Sequence, residues 1–96
     1  MNVLSLNAQG LGEASKRKWV CKLCTVHHVI FLSIQEIKFT NIDLWGVRQL
    51  WGNMFFDFAS SLARGRSGGI LFIWNKTVFV SSRVRSYDNY LVVEGV

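Results

Sequence analysis

Two short hydrophobic runs, held apart by one amphipathic stretch, constrain this chain more than any other feature. Val3-Leu4-Ser5-Leu6 ends at Asn7 and breaks into Gln9-Gly10-Leu11-Gly12, and Val29 to Ile34 ends at Gln35-Glu36. Between them, from about Ser15 to His27, Val20, Leu23, Cys24 and His27 follow helical spacing, with Trp19 on the flank. Lys16, Arg17, Lys18 and Lys22 line the other side of that helix. Strand, crossover helix and strand make a βαβ unit, which places the carboxyl ends of both strands on one edge of a parallel pair. Ligands in open α/β sheets gather outside that edge. Asn7 and Glu36 are therefore expected to lie close in space, an amide beside a carboxylate, with the chemistry for half of a divalent-metal site.

The remaining pattern predicts how the unit is extended. The first strand, residues 3–7, would be buried on both faces if it is central, and the nearly continuous apolarity of Val29–Ile34 suits a central parallel strand. A second helix is expected from about Asn41 to Leu50, spaced by Leu44, Val47, Arg48 and Trp51, with Asn41 as N-cap and Asp43 suiting the helix dipole. Strands then follow at Phe55–Ala59, Gly69–Trp74, Val78–Arg85 and Tyr90–Glu94. The Asn75-Lys76 turn suits Asn at positive φ. The fold class is α/β (α+β): βαβα followed by antiparallel strands in one mixed sheet of six. Neither a linker nor a repeat divides residues 1–96, so they form one structural unit. Two helices cover one face of such a sheet, and its other face, alternating in large apolar residues, needs a cover of its own: the rest of a domain or another chain.

Composition narrows the classes. Half of the residues are hydrophobic and 14% are aromatic, which supplies a packed core and excludes a disordered chain. The chain has no proline, so its turns rely on Gly, Asn, Asp and Ser. Eleven Lys and Arg against six Asp and Glu give a net charge of +5, which favours polyanions. The cations fall in clusters at 16–18 with Lys22, at Arg64 and Arg66, and at Arg83 and Arg85. Met1-Asn2 leads into a strand without a basic leader, and no apolar run approaches the roughly 18 residues of a membrane helix. The expectation is a soluble intracellular protein without a membrane partner. Cys21 and Cys24, three apart on a helix, fit a reducing compartment and small-residue core packing better than a disulfide, and with His27 they make only a weak zinc motif. The four Trp residues, at 19, 45, 51 and 74, read as core.

The segments Leu4-Ser5-Leu6-Asn7-Ala8-Gln9-Gly10-Leu11-Gly12, Phe31-Leu32-Ser33-Ile34-Gln35-Glu36 and Ser67-Gly68-Gly69-Ile70-Leu71-Phe72-Ile73-Trp74 occur in this order, followed by Asn89-Tyr90-Leu91-Val92-Val93-Glu94-Gly95. Together they resemble the amino-terminal part of the endonuclease/exonuclease/phosphatase superfamily, the DNase I-like fold. Within it the likeness is to the endonuclease domain that opens LINE-type, non-LTR retrotransposon polyproteins of plants. The resemblance implies the amino-terminal half of a four-layer α/β sandwich and a Mg²⁺-dependent, phosphodiester-cleaving DNA endonuclease that nicks target sites. DNA and the carboxy-terminal half of the domain would be its partners, and the nucleus its place in a functional retroelement.

Residue by residue, the resemblance makes Glu36 the carboxylate that binds the catalytic Mg²⁺ and Asn7 the amide that orients the site and the scissile phosphate. Gln35 would support the Glu36 loop. Gln9 stands where many relatives carry Asp or Asn, which leaves it a supporting role, and Ile37 replaces a frequent Thr. Arg64 and Arg66 could contact a DNA backbone through guanidinium forks. The family's Tyr in a proline-containing loop, its Asp-x-Asn pair and its Ser-Asp-His motif do not occur in these 96 residues. Without them an Asp base and a phosphate-side His are missing, so the chain is expected to be inactive alone. Two other readings stay open at this level: a small basic nucleic-acid-binding module, and a phosphoesterase of the same superfamily acting on a lipid headgroup.

Overall fold

A computed structural model describes residues 2–7, 14–37, 44–61, 69–86 and 91–96, with side chains described at 2–7, 17–35, 46–61, 69–85 and 92–96. The elements run β1 (Asn2–Asn7), α1 (Ala14–Val26), β2 (Val29–Ile37), α2 (Leu44–Trp51), β3 (Phe56–Ser61), β4 (Gly69–Asn75), β5 (Ser81–Ser86) and β6 (Leu91–Gly95). The chain is mixed α/β, and its six strands form two sheets. One has four strands in the order β1-β2-β4-β3, and β5 and β6 pair as a separate two-stranded ribbon. β1 runs parallel to β2, while β4 is antiparallel to both β2 and β3.

The central positions belong to β2 and β4, the two most continuously apolar strands, because a central strand presents both faces to protein. Their registers align the sheet in cross-strand rows. Leu4, Leu32, Ile73 and Phe58 form one row, and Leu6, Ile34 and Leu71 the next on the same face. Val20 and Cys24 of α1 and Val47, Leu50 and Trp51 of α2 pack with these rows into the main core. Val20, Leu32, Ile34, Val47, Leu71 and Ile73 are completely buried. Each contributes about 1.5–3 kcal/mol through the apolar area it removes from water. A polar clamp joins the two helices, Arg17 Nη1 donating to Gln49 Oε1 at 2.8 Å. Helix α2 closes on Gly52, whose φ of +96° suits the residue after a helix and whose N–H donates to Arg48 O at 2.7 Å.

The opposite face is built on Val3, Phe31 and Trp74 in one row and Ser5, Ser33, Phe72 and Ala59 in the next. Here the expectation of one six-stranded sheet is corrected. After β4 the chain turns off the sheet plane and lays Phe79 edge-on against Trp74 and Phe31, at ring-centroid distances of 5.7 and 6.1 Å. Phe79 and Val93 join Trp74, Ala59, Phe31, Ile70 and Phe72 in a second apolar cluster. The β5–β6 ribbon thus covers part of the face that was expected to lie bare. The departure from the sheet plane puts Phe79 into that buried aromatic group. Trp74 is 1% exposed, and its Nε1 has no hydrogen-bond partner among the described residues.

Three further expectations are corrected. β1 is an edge strand among the described residues, exposed at Asn2, Val3, Ser5 and Asn7, because no described strand pairs beyond it. Asn75 does not take positive φ; its Oδ1 instead accepts from the N–H and the hydroxyl of Thr77, which closes the turn through the side chain. Trp19 is 57% exposed and lies outside the core, and His27 is exposed in the turn after α1. Trp51 and Trp74 are core, as expected. The expected N-cap Asn41, Asp43 and the side chain of Trp45 lie outside the described residues and side chains.

Candidate functional site

Parallel pairing of β1 with β2 determines what meets at the carboxyl edge. The register sets Leu6 beside Ile34 and Asn7 beside Gln35, so the two strands end together. Neighbouring strands lie about 4.8 Å apart, which brings the two amide-bearing residues within one strand spacing. Both side chains are exposed. Gln35 is also paired with Ile70 of β4, and Ile70 with Ser61 of β3, so Asn7, Gln35, Ile70 and Ser61 form one row across the sheet.

Glu36 is the next residue of β2, and the ladder is irregular there. From Gln35↔Ile70 the pairing steps to Ile37↔Gly69, two residues on β2 against one on β4. Glu36 is the extra residue of that step. Bulges bend a strand and re-aim the residues beside them, and they are over-represented next to active sites. The backbone therefore brings Asn7, Gln35 and Glu36 to one edge of one sheet. The side chain of Glu36 lies outside the described ones, as do Gln9, Arg64 and Arg66 altogether.

The histidines are at the other edge. His27 and His28 precede β2, whose first residue Val29 pairs with Asn2, and the side chain of Asn2 donates to His27 O. They are separated from Glu36 by the length of β2. A cavity of about 230 Å³ opens at this far edge between the ends of both helices, lined by Cys24, Thr25, His28, Trp51, Asn53 and Asn75. His28 carries the only positive φ of a non-glycine among the described residues, 51°.

The cysteines behave as core groups. Cys24 is buried, and desolvation, with Cys21 beside it, pushes its thiol up to about 11. A thiol that holds its proton is a poor metal ligand and a poor nucleophile. Among the described residues no group of three or more His, Cys, Asp or Glu could hold a metal ion.

Asn7 and Glu36 were expected to meet; the register sets Asn7 beside Gln35, one residue before Glu36, whose side chain lies outside the described ones, and two features were missed. Ile70 and Ser61 join the Asn7 row from segments far along the chain, and only the Ser-Gly-Gly strand hinted at it. Arg17, one of the four cations on the side of α1 opposite the apolar positions, bonds to Gln49 and ties α1 to α2. Lys18, Lys22, Arg48, Arg83 and Arg85 are exposed, and Arg85 stands 4.0 Å from Glu94 in a solvent-exposed pair of small energetic weight. Among the described residues no helix is long and apolar enough to cross a membrane. No protein-family model matches the chain, and no curated protein matches it at a significant level.

Proposed function

We propose that this chain forms one wall of a Mg²⁺-dependent, phosphodiester-cleaving DNA endonuclease site of the DNase I-like kind, as in retrotransposon endonuclease domains. The observation that carries the reading is the register pairing Asn7 with Gln35, with the bulge at Glu36 on the same edge. Magnesium demands an octahedral oxygen shell and binds through one or two carboxylates with several waters retained. This edge offers one carboxylate position and two amides, so it fits a wall of such a shell and not a closed cage. Glu36 would hold the ion, Asn7 would orient the phosphate by hydrogen bonding, and Gln35 would steady the bulged segment. A bound Mg²⁺ supplies Lewis-acid stabilisation of charge developing on phosphate oxygens. The net charge of +5 draws the polyanionic substrate towards the chain. The base and the phosphate-side histidine belong to family segments that these residues do not include.

The test uses Mn²⁺ as a paramagnetic stand-in for Mg²⁺ on the 96-residue chain. Amide signals of Asn7, Gln35 and Glu36 are expected to broaden first, and Glu36→Gln to remove the effect. Broadening centred on other residues, or undiminished in Glu36→Gln, refutes the metal wall. The same chain is expected to leave supercoiled plasmid intact in Mg²⁺. Nicking that is lost with EDTA and in Glu36→Ala would show that the site is complete without further segments. Salt-dependent DNA binding indifferent to both EDTA and Glu36→Ala would instead identify a basic binding module.

A further inference from the structure

We propose that the cavity at the far edge of the four-stranded sheet binds a small carboxylate carrying a compact apolar body. The length of β2 separates this cavity from the Asn7–Glu36 edge, so the metal-wall reading is not involved. Three turns converge on it. His28 lies between α1 and β2, Asn53 lies between α2 and β3, and Asn75 ends β4. The ladders bring these turns together, because Phe31 pairs with Trp74, Phe56 pairs with Asn75, and Lys76 N–H donates to Phe55 O. The cavity volume of about 230 Å³ exceeds the ~150 Å³ in which an engineered apolar cavity takes a benzene ring.

Hydrogen bonding among the lining residues selects the chemistry of the occupant. Asn53 Oδ1 accepts from Phe55 N–H at 2.8 Å, and Asn75 Oδ1 accepts from Thr77 N–H at 2.9 Å. A backbone N–H only donates, so each amide is fixed with its oxygen in the turn and its Nδ2 left over as a donor. Acceptors beside the cavity are already used: Asn75 O receives the N–H groups of Val78 and Phe79, and Thr25 O receives that of His28. Among the described residues nothing accepts from either Nδ2 or from the His28 ring. The lining carries no carboxylate, and buried Cys24, Val29 and Trp51 supply an apolar wall. Cys24 keeps its proton and adds no negative charge. Such a site suits an oxygen acceptor on an apolar body. The carboxyl ends of α1 and α2 oppose an anion there by at most about fivefold each. Each hydrogen bond to a charged acceptor returns roughly tenfold to a hundredfold, and the net charge of +5 adds attraction, so the donors prevail.

Nitrogen–proton correlation spectra of the full chain at constant ionic strength, with benzoate as the probe, test the proposal. The side-chain amide signals of Asn53 and Asn75 are expected to shift together and saturate. Acetate lacks the apolar body and benzyl alcohol lacks the charge, and each should bind at least about tenfold more weakly. Asn53→Asp and Asn75→Asp keep the Oδ1 that closes the turn but replace the Nδ2 donor with a second carboxylate oxygen. Each should weaken benzoate by about tenfold or more with an unchanged circular dichroism spectrum. His28→Gly removes the ring at a backbone φ of 51° that glycine adopts freely, and it should weaken benzoate to a similar degree without introducing charge. Shifts that do not saturate or that centre on other residues overturn the proposal. So does acetate or benzyl alcohol binding as tightly as benzoate, or a set of folded variants that bind benzoate like the wild type.

Discussion

Gly95→Ala probes the arrangement that departs most from a simple continuous sheet. Gly95 sits where β6 passes beneath Phe79. A Cβ there would fall inside contact distance of the Val80 carbonyl oxygen and 2.7 Å from Phe79 Cζ. The carbonyl cannot yield cheaply, because Val80 and Val96 exchange two backbone hydrogen bonds at 2.9 and 3.0 Å. Phe79 cannot yield without leaving its edge contacts on Trp74 and Phe31. Net values near 0.5–1.5 kcal/mol for a hydrogen bond and for an aromatic contact place the cost at about 2–4 kcal/mol. In a domain of this size that is a fall in Tm of roughly 10–25 °C. Thermal unfolding followed by near-UV circular dichroism is the assay, with amide exchange at Val80 and Val96 to detect local detachment of the ribbon. A variant with Tm within about 2 °C of wild type, an unchanged near-UV spectrum and protected Val80 and Val96 amides would refute the packing argument.

Two other perturbations test the helix-side core. Folding raises the Cys24 thiol from 9.0 to about 11, so the folded state keeps a proton that the unfolded chain releases. Its contribution to stability is complete below pH 9 and is lost as pH climbs through 11, by at most about 2–3 kcal/mol; denaturant titrations across that window should show a shallower decline in Cys24→Ala, and identical slopes would count against a buried, protonated thiol. Gly52→Ala should cost about 1–3 kcal/mol, because its φ of +96° disfavours a side chain and its Cβ would stand 2.7 Å from Cys21 Sγ. In Cys21→Ala/Gly52→Ala the steric share of that loss is expected to return and the backbone share to persist, so complete recovery in urea melts would disprove the conformational part.

The element order was legible because local pattern carries it. β-branched runs gave the strands, the spacing of Val20 and Cys24 and of Val47 and Trp51 gave the helices, and the crossover gave the parallel pairing of β1 with β2. From that pairing it follows that both strands end at one edge, since a parallel ladder with a helical connection has little freedom in where its strands end, but the exact register, which sets Asn7 beside Gln35 where Glu36 was expected, came from the assembled sheet. Asn75 shows the limit of local reading: the turn was expected, but its closure by the side chain depended on where Thr77 came to lie.

What only the tertiary structure decided are the contacts between segments distant along the chain. Phe79 leaves the sheet plane because Phe31 and Trp74, from two different strands, offer it a buried aromatic surface, and no period in the sequence encodes that meeting. Among the described residues β1 is an edge because strand order is a property of the assembled sheet, and the bulge at Glu36 exists because β4 runs past β2 in a register that neither strand carries alone. Pattern fixes what each segment can bury, whereas the free energy of burial is realised only against neighbours that the chain brings from elsewhere.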